Sequence, residues 1–250
     1  MPLVEITKQA KLDFHSREAY KSLRTNVQFC GEDVKVVALT SCTPNEGKSS
    51  VSFQLAVSMT EDGKKVLFID ADIRKSVLVG RYQIDAKEAK GLTHYLSGQS
   101  KLDEVICDTN IENLNIILTG PVPPNPSELL GGKYFKELIA TQRENYDVII
   151  IDTPPLGSVI DSAIVARQCD GIILVIAAEE VSYKFALKVK EQLDVAGCKI
   201  LGVVLNKLRF RSSGKYYGKY YGKYYGRYYG KYYGKYYGHY GHEEDKEKKK

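Results

Sequence analysis

The segment KVVALTSCTPNEGKSS (Lys35–Ser50) runs from an apolar stretch into a turn that ends on Gly-Lys-Ser. Lys35–Thr40 has the character of a strand buried on both faces. From Gly47 to Thr60 the pattern becomes helical. A strand, a tight loop and a helix N-terminus in that order present backbone N–H groups that attract anions. In such a loop Lys48 reaches the β- and γ-phosphates of a nucleotide, and the Ser49 hydroxyl ligates Mg2+. Asn45, Glu46, Gly47 and Ser50 complete the stretch expected to wrap the phosphates. Cys42 stands where the GxxxxGK[ST] pattern has its first glycine, so the strand–GKS–helix setting carries the reading.

Two further strand ends carry acids. In LFIDADIR (Leu67–Arg74), Asp70 and Asp72 follow an apolar run. Two residues apart in an extended segment, they point to the same side. Like charges this close require a cation, either Mg2+ or Lys/Arg. In VIIIDTPP (Val148–Pro155), Asp152 ends an apolar strand, the arrangement that holds Mg2+ directly or through water. The metal set is therefore Ser49, Asp72 and Asp152, and the catalytic set is Lys48, Asp70 and Asp72.

Outward from these motifs, apolar runs alternate with amphipathic segments. Strands are expected at 65–69, 114–118, 147–151, 171–176 and 199–205. Helices are expected at 16–29, 126–144, 160–167 and 182–196, while 92–96 and 102–106 are short and ambiguous. In PPNPSELL (Pro123–Leu130), Asn125 suits an N-cap, with Pro126 at N1 and Glu128 placed to bond back. The alternation predicts an α/β fold of the P-loop NTPase type. Its mainly parallel sheet carries helices on both faces, with the site beyond the carboxyl ends of the strands.

The 250 residues hold no run of ~18 apolar residues and no secretory signal at the start, so a soluble chain is expected. Five scattered cysteines without a CxxC pair fit reduced thiols. From Gly214 to Lys250 there are ten Lys/Arg and four Asp/Glu, a net of +6; Met1–Ser213 is near neutral at −1. Net charge thus gives no support to nucleic-acid binding by the globular part. Composition breaks at Arg211–Gly214, where a KYYG repeat begins. Glycine at every fourth place opposes a helix and leaves no aliphatic face, so residues 212–250 are expected to be a disordered tail after a domain at 1–211.

The three motifs, TSCTPNEGKSS, LFIDADIR and VIIIDTPP, together with PPNPSELL and the terminal tyrosines, resemble the bacterial tyrosine kinases known as BY-kinases. The likeness is narrowest to the separate cytoplasmic kinase of Gram-positive capsule and exopolysaccharide operons, and it spans Asp13 to Tyr240. Many members have glycine at the place of Asn45. The related partitioning and septum-positioning ATPases carry an extra early lysine where this chain has Thr43 and Pro44. The resemblance implies use of ATP and Mg2+, with control of polysaccharide synthesis and export. Its implied partners are a transmembrane activator from the same operon, which recruits the kinase to the inner face of the plasma membrane, and a cognate tyrosine phosphatase. It also implies a homo-oligomeric ring, an octamer, built through Glu-x-x-Arg-x-x-Arg. Glu18, Lys21 and Arg24 occupy those places, spanning about 120° of a helix face. The family's adenine pocket lies near the last strand, which points to Asn206 and Arg209.

On this reading the acceptors are Tyr216, Tyr217, Tyr220, Tyr221, Tyr224, Tyr225, Tyr228, Tyr229, Tyr232, Tyr233, Tyr236, Tyr237 and Tyr240. Each phosphate adds roughly −1.5 to −2, so full modification reverses the charge of the tail and favours opening of the ring by repulsion. Two alternatives stand beside this: an ATPase switch that positions cell components without kinase activity, and a nucleic-acid-binding tail on an ATPase.

Overall fold

The computed structural model describes residues 1–9, 11–86 and 89–208. The elements in chain order are β1 (Leu3–Ile6), α1 (Phe14–Gln28), β2 (Val36–Ser41), α2 (Lys48–Thr60), β3 (Val66–Asp70), α3 (Leu78–Tyr82), β4 (Ile84–Asp85), α4 (Leu92–Leu96), α5 (Leu102–Val105), β5 (Cys107–Thr109), β6 (Leu114–Ile117), α6 (Pro126–Gly131), α7 (Lys133–Asn145), β7 (Val148–Asp152), α8 (Asp161–Ala166), β8 (Gly171–Ala177), α9 (Tyr183–Val195) and β9 (Ile200–Asn206). The strands form one sheet in the order β4-β1-β5-β6-β3-β7-β2-β8-β9. The pairs β1–β4 and β5–β6 are antiparallel and the rest are parallel.

Side chains on successive strand residues face opposite sides, and here both sides are covered. Val36, Ala38, Leu67, Ile69, Ile149, Ile151, Ile172 and Leu174 join a core with Phe135 and Leu138 of α7, Val165 of α8 and Leu193 of α9. The alternate residues Val37, Leu39, Val66, Phe68, Val148, Ile150, Ile173 and Val175 join a second core with Val51, Phe53, Leu55 and Met59 of α2. Helix α2 is buried almost all round, which explains why an apolar stripe is hard to see in it. The expected sheet and two helical layers are present. Residues Met1–Leu208 make one unit. Arg209, the expected tail at 212–250 and its tyrosines lie outside the described residues.

Three details differ from expectation. The helix expected at 126–144 is two helices, because Gly132 adopts an extended conformation (φ −74°, ψ 173°) and interrupts it. Asn125 is the N-cap and Pro126 opens α6, but no side-chain bond caps that helix. The strands β1, β4 and β5, only two to four residues long, carry too little alternation to be read from sequence. All five cysteines are free thiols, with Cys42, Cys107 and Cys198 buried. Among the described residues no helix is long and apolar enough to cross a membrane.

Candidate active site

The site is assembled where β2, β3 and β7 end side by side. Asp70 and Asp152 are direct register partners on adjacent parallel strands. The chain after Asp152 is fastened to β2: the Thr153 hydroxyl donates to the Leu39 carbonyl (2.7 Å), and the Thr40 hydroxyl donates to the Pro154 carbonyl (2.8 Å). Asp152 thus stands beside the phosphate loop. Gly157 keeps the same approach close, since a Cβ there would meet the Cys42 carbonyl at 2.2 Å. Cys42 fills a core position behind the loop, and burial pushes its thiol up to about 11, well away from reactivity.

The loop between β2 and α2 takes two left-handed residues, Asn45 (φ 69°) and Gly47 (φ 90°). Asparagine tolerates that region better than most residues, which accounts for it at a place that demands left-handed backbone. At Gly47 a Cβ would lie 2.2 Å from Asn206 Nδ2. The Glu46 side chain does not face the phosphate site. Its carboxylate is buried and accepts from Thr43 N (2.5 Å), the Thr43 hydroxyl (3.0 Å) and Ala177 N at the end of β8 (2.9 Å). Asn206 Nδ2 donates to the Glu46 carbonyl (2.9 Å). Glu46 and Asn206 therefore brace the loop from two neighbouring strands, leaving backbone amides for an anion.

Lys48 is the electrostatic centre. Its Nζ lies 3.2 Å from Ser49 Oγ, 3.3 Å from Asp72 Oδ2 and 3.4 Å from Asp152 Oδ2. Burial works against its charge, but Asp152, Asp72 and Asp70 together hold the ammonium protonated above its usual range. Asp70 accepts from the backbone N of Asp72 (3.2 Å) and from the Ser76 hydroxyl. Burial, then the adjacent Asp152 charge, pushes Asp70 up to about 8. Asp152 is likewise raised, chiefly by burial, with Lys48 opposing. Asp72 accepts from Lys75 N (3.1 Å).

With Asp70 holding its proton near neutral pH, one lysine faces the Asp72 and Asp152 carboxylates, which leaves an excess of negative charge that a cation relieves. The residues fit Mg2+: Asp152 Oδ1 is fully buried and has no hydrogen-bond partner, beside Ser49 and Asp72. Among the described residues no cluster of three His, Cys, Asp or Glu ligands stands ready for a metal. An ion here would be completed by water and phosphate oxygens, which is the habit of Mg2+ rather than of zinc.

Of the remaining expected residues, Ser50 accepts from the Arg81 guanidinium at the rim. Glu18 and Lys21 pair with each other at 2.7 Å, about half exposed. Arg24 is turned away from them: its Nη1 donates to the Ser58 carbonyl near the end of α2 (2.6 Å), and its Nη2 lies 3.4 Å from Asp62. Arg24 thus docks α1 on α2, and the three residues do not share one exposed surface. Sequence reasoning missed Ser76 and the group formed by Arg74, Ser127 and Asp161. Arg74 was in view inside LFIDADIR, but nothing in the linear pattern marked its partners.

A buried-strand sheet with a phosphate loop and strand-end carboxylates defines a P-loop nucleotide-binding domain. The family model described as AAA domain matches residues 34–194. The tyrosine-protein kinase CpsD of Streptococcus pneumoniae serotype 4 (strain ATCC BAA-334 / TIGR4) is 46% identical over 210 residues, covering 83% of this chain and 92% of that protein. The kinase domain of the Escherichia coli tyrosine kinase ETK superposes with a TM-score of 0.75 at 34% identity, covering 80% of this chain and 78% of that one. The septum site-determining protein MinD of Pyrococcus horikoshii OT3, complexed with Mg-ADP, matches at a TM-score of 0.60 and 28% identity, over 71% of this chain and 72% of that one. The chain belongs to the family of bacterial tyrosine-protein kinases.

Proposed function

We propose that this chain transfers the γ-phosphoryl group of ATP to tyrosine hydroxyls, with the thirteen tyrosines of Tyr216–Tyr240 among its acceptors. The observation that carries the reading is Lys48 held between Asp72 and Asp152, with Asp70 in register beside Asp152. The loop amides and Lys48 bind the β- and γ-phosphates. Lys48 is already charged and gives up its carboxylate contacts for phosphate oxygens. Ser49, Asp72 and Asp152 hold Mg2+, which when bound draws negative charge from the phosphates. Asp70, its ionised form favoured once Mg2+ is held beside Asp72 and Asp152, orients the tyrosine hydroxyl for in-line attack and accepts its proton. A free phenol has a pKa near ~10, so alignment and a nearby acceptor matter at neutral pH. On this reading Asn206 and Arg209 serve the adenine, as the family resemblance implies.

The chain controls capsular or exopolysaccharide synthesis and export, as the resemblance of its motifs to the capsule-operon kinases implies. A transmembrane activator of the same operon brings it to the inner face of the plasma membrane, and a cognate phosphatase reverses the modification. Ring assembly through α1 uses Glu18 and Lys21, with Arg24 stiffening the helix on its own domain. A stretch of 28 residues, the length from Ser213 to Tyr240, can span at most ~90 Å, so length alone permits transfer within a chain or between chains. An anti-phosphotyrosine blot after incubation with ATP and Mg2+, with and without the membrane partner, tests the reading. ATP hydrolysis with a silent blot in the partner's presence favours the positioning ATPase instead.

A further inference from the structure

We propose that Arg74 is a positioning residue: its guanidinium, joined with Ser127 on the buried carboxylate of Asp161, locks the loop carrying Asp70 and Asp72 against the segment that follows Asp152. Arg74 Nε reaches Asp161 Oδ2 at 2.6 Å and Nη2 reaches Oδ1 at 3.1 Å, a two-bond fork. Ser127 donates to the same Oδ1 at 2.7 Å and lies 3.1 Å from Arg74 Nη2. The Asp161 side chain is fully buried, while that of Arg74 is 37% exposed, so the node runs from the interior to the rim of the site.

Its placement links three separate segments. Arg74 follows Asp72 by two residues, Asp161 opens α8 after the Asp152 loop, and Ser127 lies in the first turn of α6. Helix α6 has no side-chain cap of its own, so Ser127 is its polar tie to the neighbouring loops. The phosphate loop is held independently, by the Glu46 carboxylate accepting from Ala177 N of β8 and by Asn206 of β9 donating to the Glu46 carbonyl. The molecule therefore has two braces. One sets the nucleotide cradle, and the other sets the carboxylates that meet the metal and the acceptor. Phosphoryl transfer depends on alignment, and a displacement of about 1 Å can cost ~100-fold in rate. A lysine at position 74 keeps the charge but cannot form the two-bond fork.

The inference rests on the kinase reading, and the two fail separately. The test is steady-state kinetics of the full chain with ATP and Mg2+, comparing wild type, Arg74→Lys and Ser127→Ala, with melting curves alongside. The expected result for Arg74→Lys is a kcat for tyrosine transfer lower by ten- to a hundredfold. Its KM for ATP stays within about twofold, and several-fold more Mg2+ is needed for half-maximal rate. Ser127→Ala, which leaves the ion pair in place, gives the same pattern more weakly. An unchanged kcat in both variants overturns the proposal. So does a loss in which kcat and KM for ATP worsen together in step with melting temperature, the mark of general loosening. If the wild type hydrolyses ATP but labels no tyrosine, the kinase reading fails alone. The Mg2+ midpoint for hydrolysis then decides, with a rise in Arg74→Lys supporting the positioning role and no change overturning it.

Discussion

Asp70→Asn is expected to stabilise the nucleotide-free protein near neutral pH while abolishing transfer to tyrosine. Asp70 is almost fully buried and stands in register with Asp152 on the next strand. Burial and that neighbouring charge raise its carboxyl from 3.8 to about 8. Between those values the unfolded chain has lost the proton and the folded chain keeps it. The contribution of Asp70 to folding stability is therefore fully present below pH 3.8 and is lost as pH rises towards 8. At pH 7 about three pH units of that window have been crossed, a ceiling of about 4 kcal/mol at ~1.4 kcal/mol per unit. Asparagine removes the titration and keeps one carbonyl oxygen for the Asp72 amide, while its NH2 takes the place of the oxygen that accepts from the Ser76 hydroxyl, which can turn to accept instead. Its new amide donors must find partners among carboxylates, so about half the ceiling, ~2 kcal/mol, is the expected gain. For a domain of this size that is about 4–8 °C in melting temperature. Urea unfolding from pH 4 to 8.5, in EDTA without nucleotide, measures it; the gap between variant and wild type should open with rising pH. A variant no more stable than wild type at pH 7.5, or a gap that ignores pH, would refute the electrostatic account of this carboxylate pair.

Other substitutions probe the remaining supports. Lys48→Met should remove all phosphate incorporation and, by leaving buried carboxylates without their cation, lower stability by ~3 kcal/mol in EDTA. Added Mg2+ should recover part of that loss, which calorimetry with and without the ion can follow. Glu46→Gln turns an acceptor of three hydrogen bonds into a group with two unwanted donors. It should cost ~1–3 kcal/mol and raise the KM for ATP more than it lowers kcat. Arg24→Ala frees α1 from the end of α2, so the loss of ~1–2 kcal/mol should appear even in dilute, unassembled protein. Sedimentation paired with melting curves separates that effect from ring assembly.

The parallel core was legible because β2, β3, β7 and β8 are nearly unbroken apolar runs, and such runs announce strands buried on both faces. The three carboxylates were legible because Asp70 and Asp152 end two of those runs and Asp72 follows Asp70 by two residues. Arg74, Ser127 and Asp161 were not, since three residues far apart in the chain meet only after the sheet has formed. Glu46 was read as a phosphate-wrapping residue because it sits in the loop, yet its side chain turns to Ala177, a partner supplied by a strand far along the chain. Arg24 was grouped with Glu18 and Lys21 because the three occupy the places of the Glu-x-x-Arg-x-x-Arg motif that the resemblance implies, at helical spacing. Spacing fixes a face but not which neighbour will claim it, and the carbonyl of Ser58 does. The break at Gly132 was marked by the adjacent pair Gly131-Gly132, a turn signal that a single helix over 126–144 overlooks.

The central claim is tested most directly by mapping phosphate on the purified full chain by mass spectrometry, after incubation with ATP, Mg2+ and the cytoplasmic part of its membrane partner. The account predicts phosphate on Tyr216–Tyr240 in the wild type and none in Lys48→Met. ATP turned over to ADP while those tyrosines stay unmodified would contradict it.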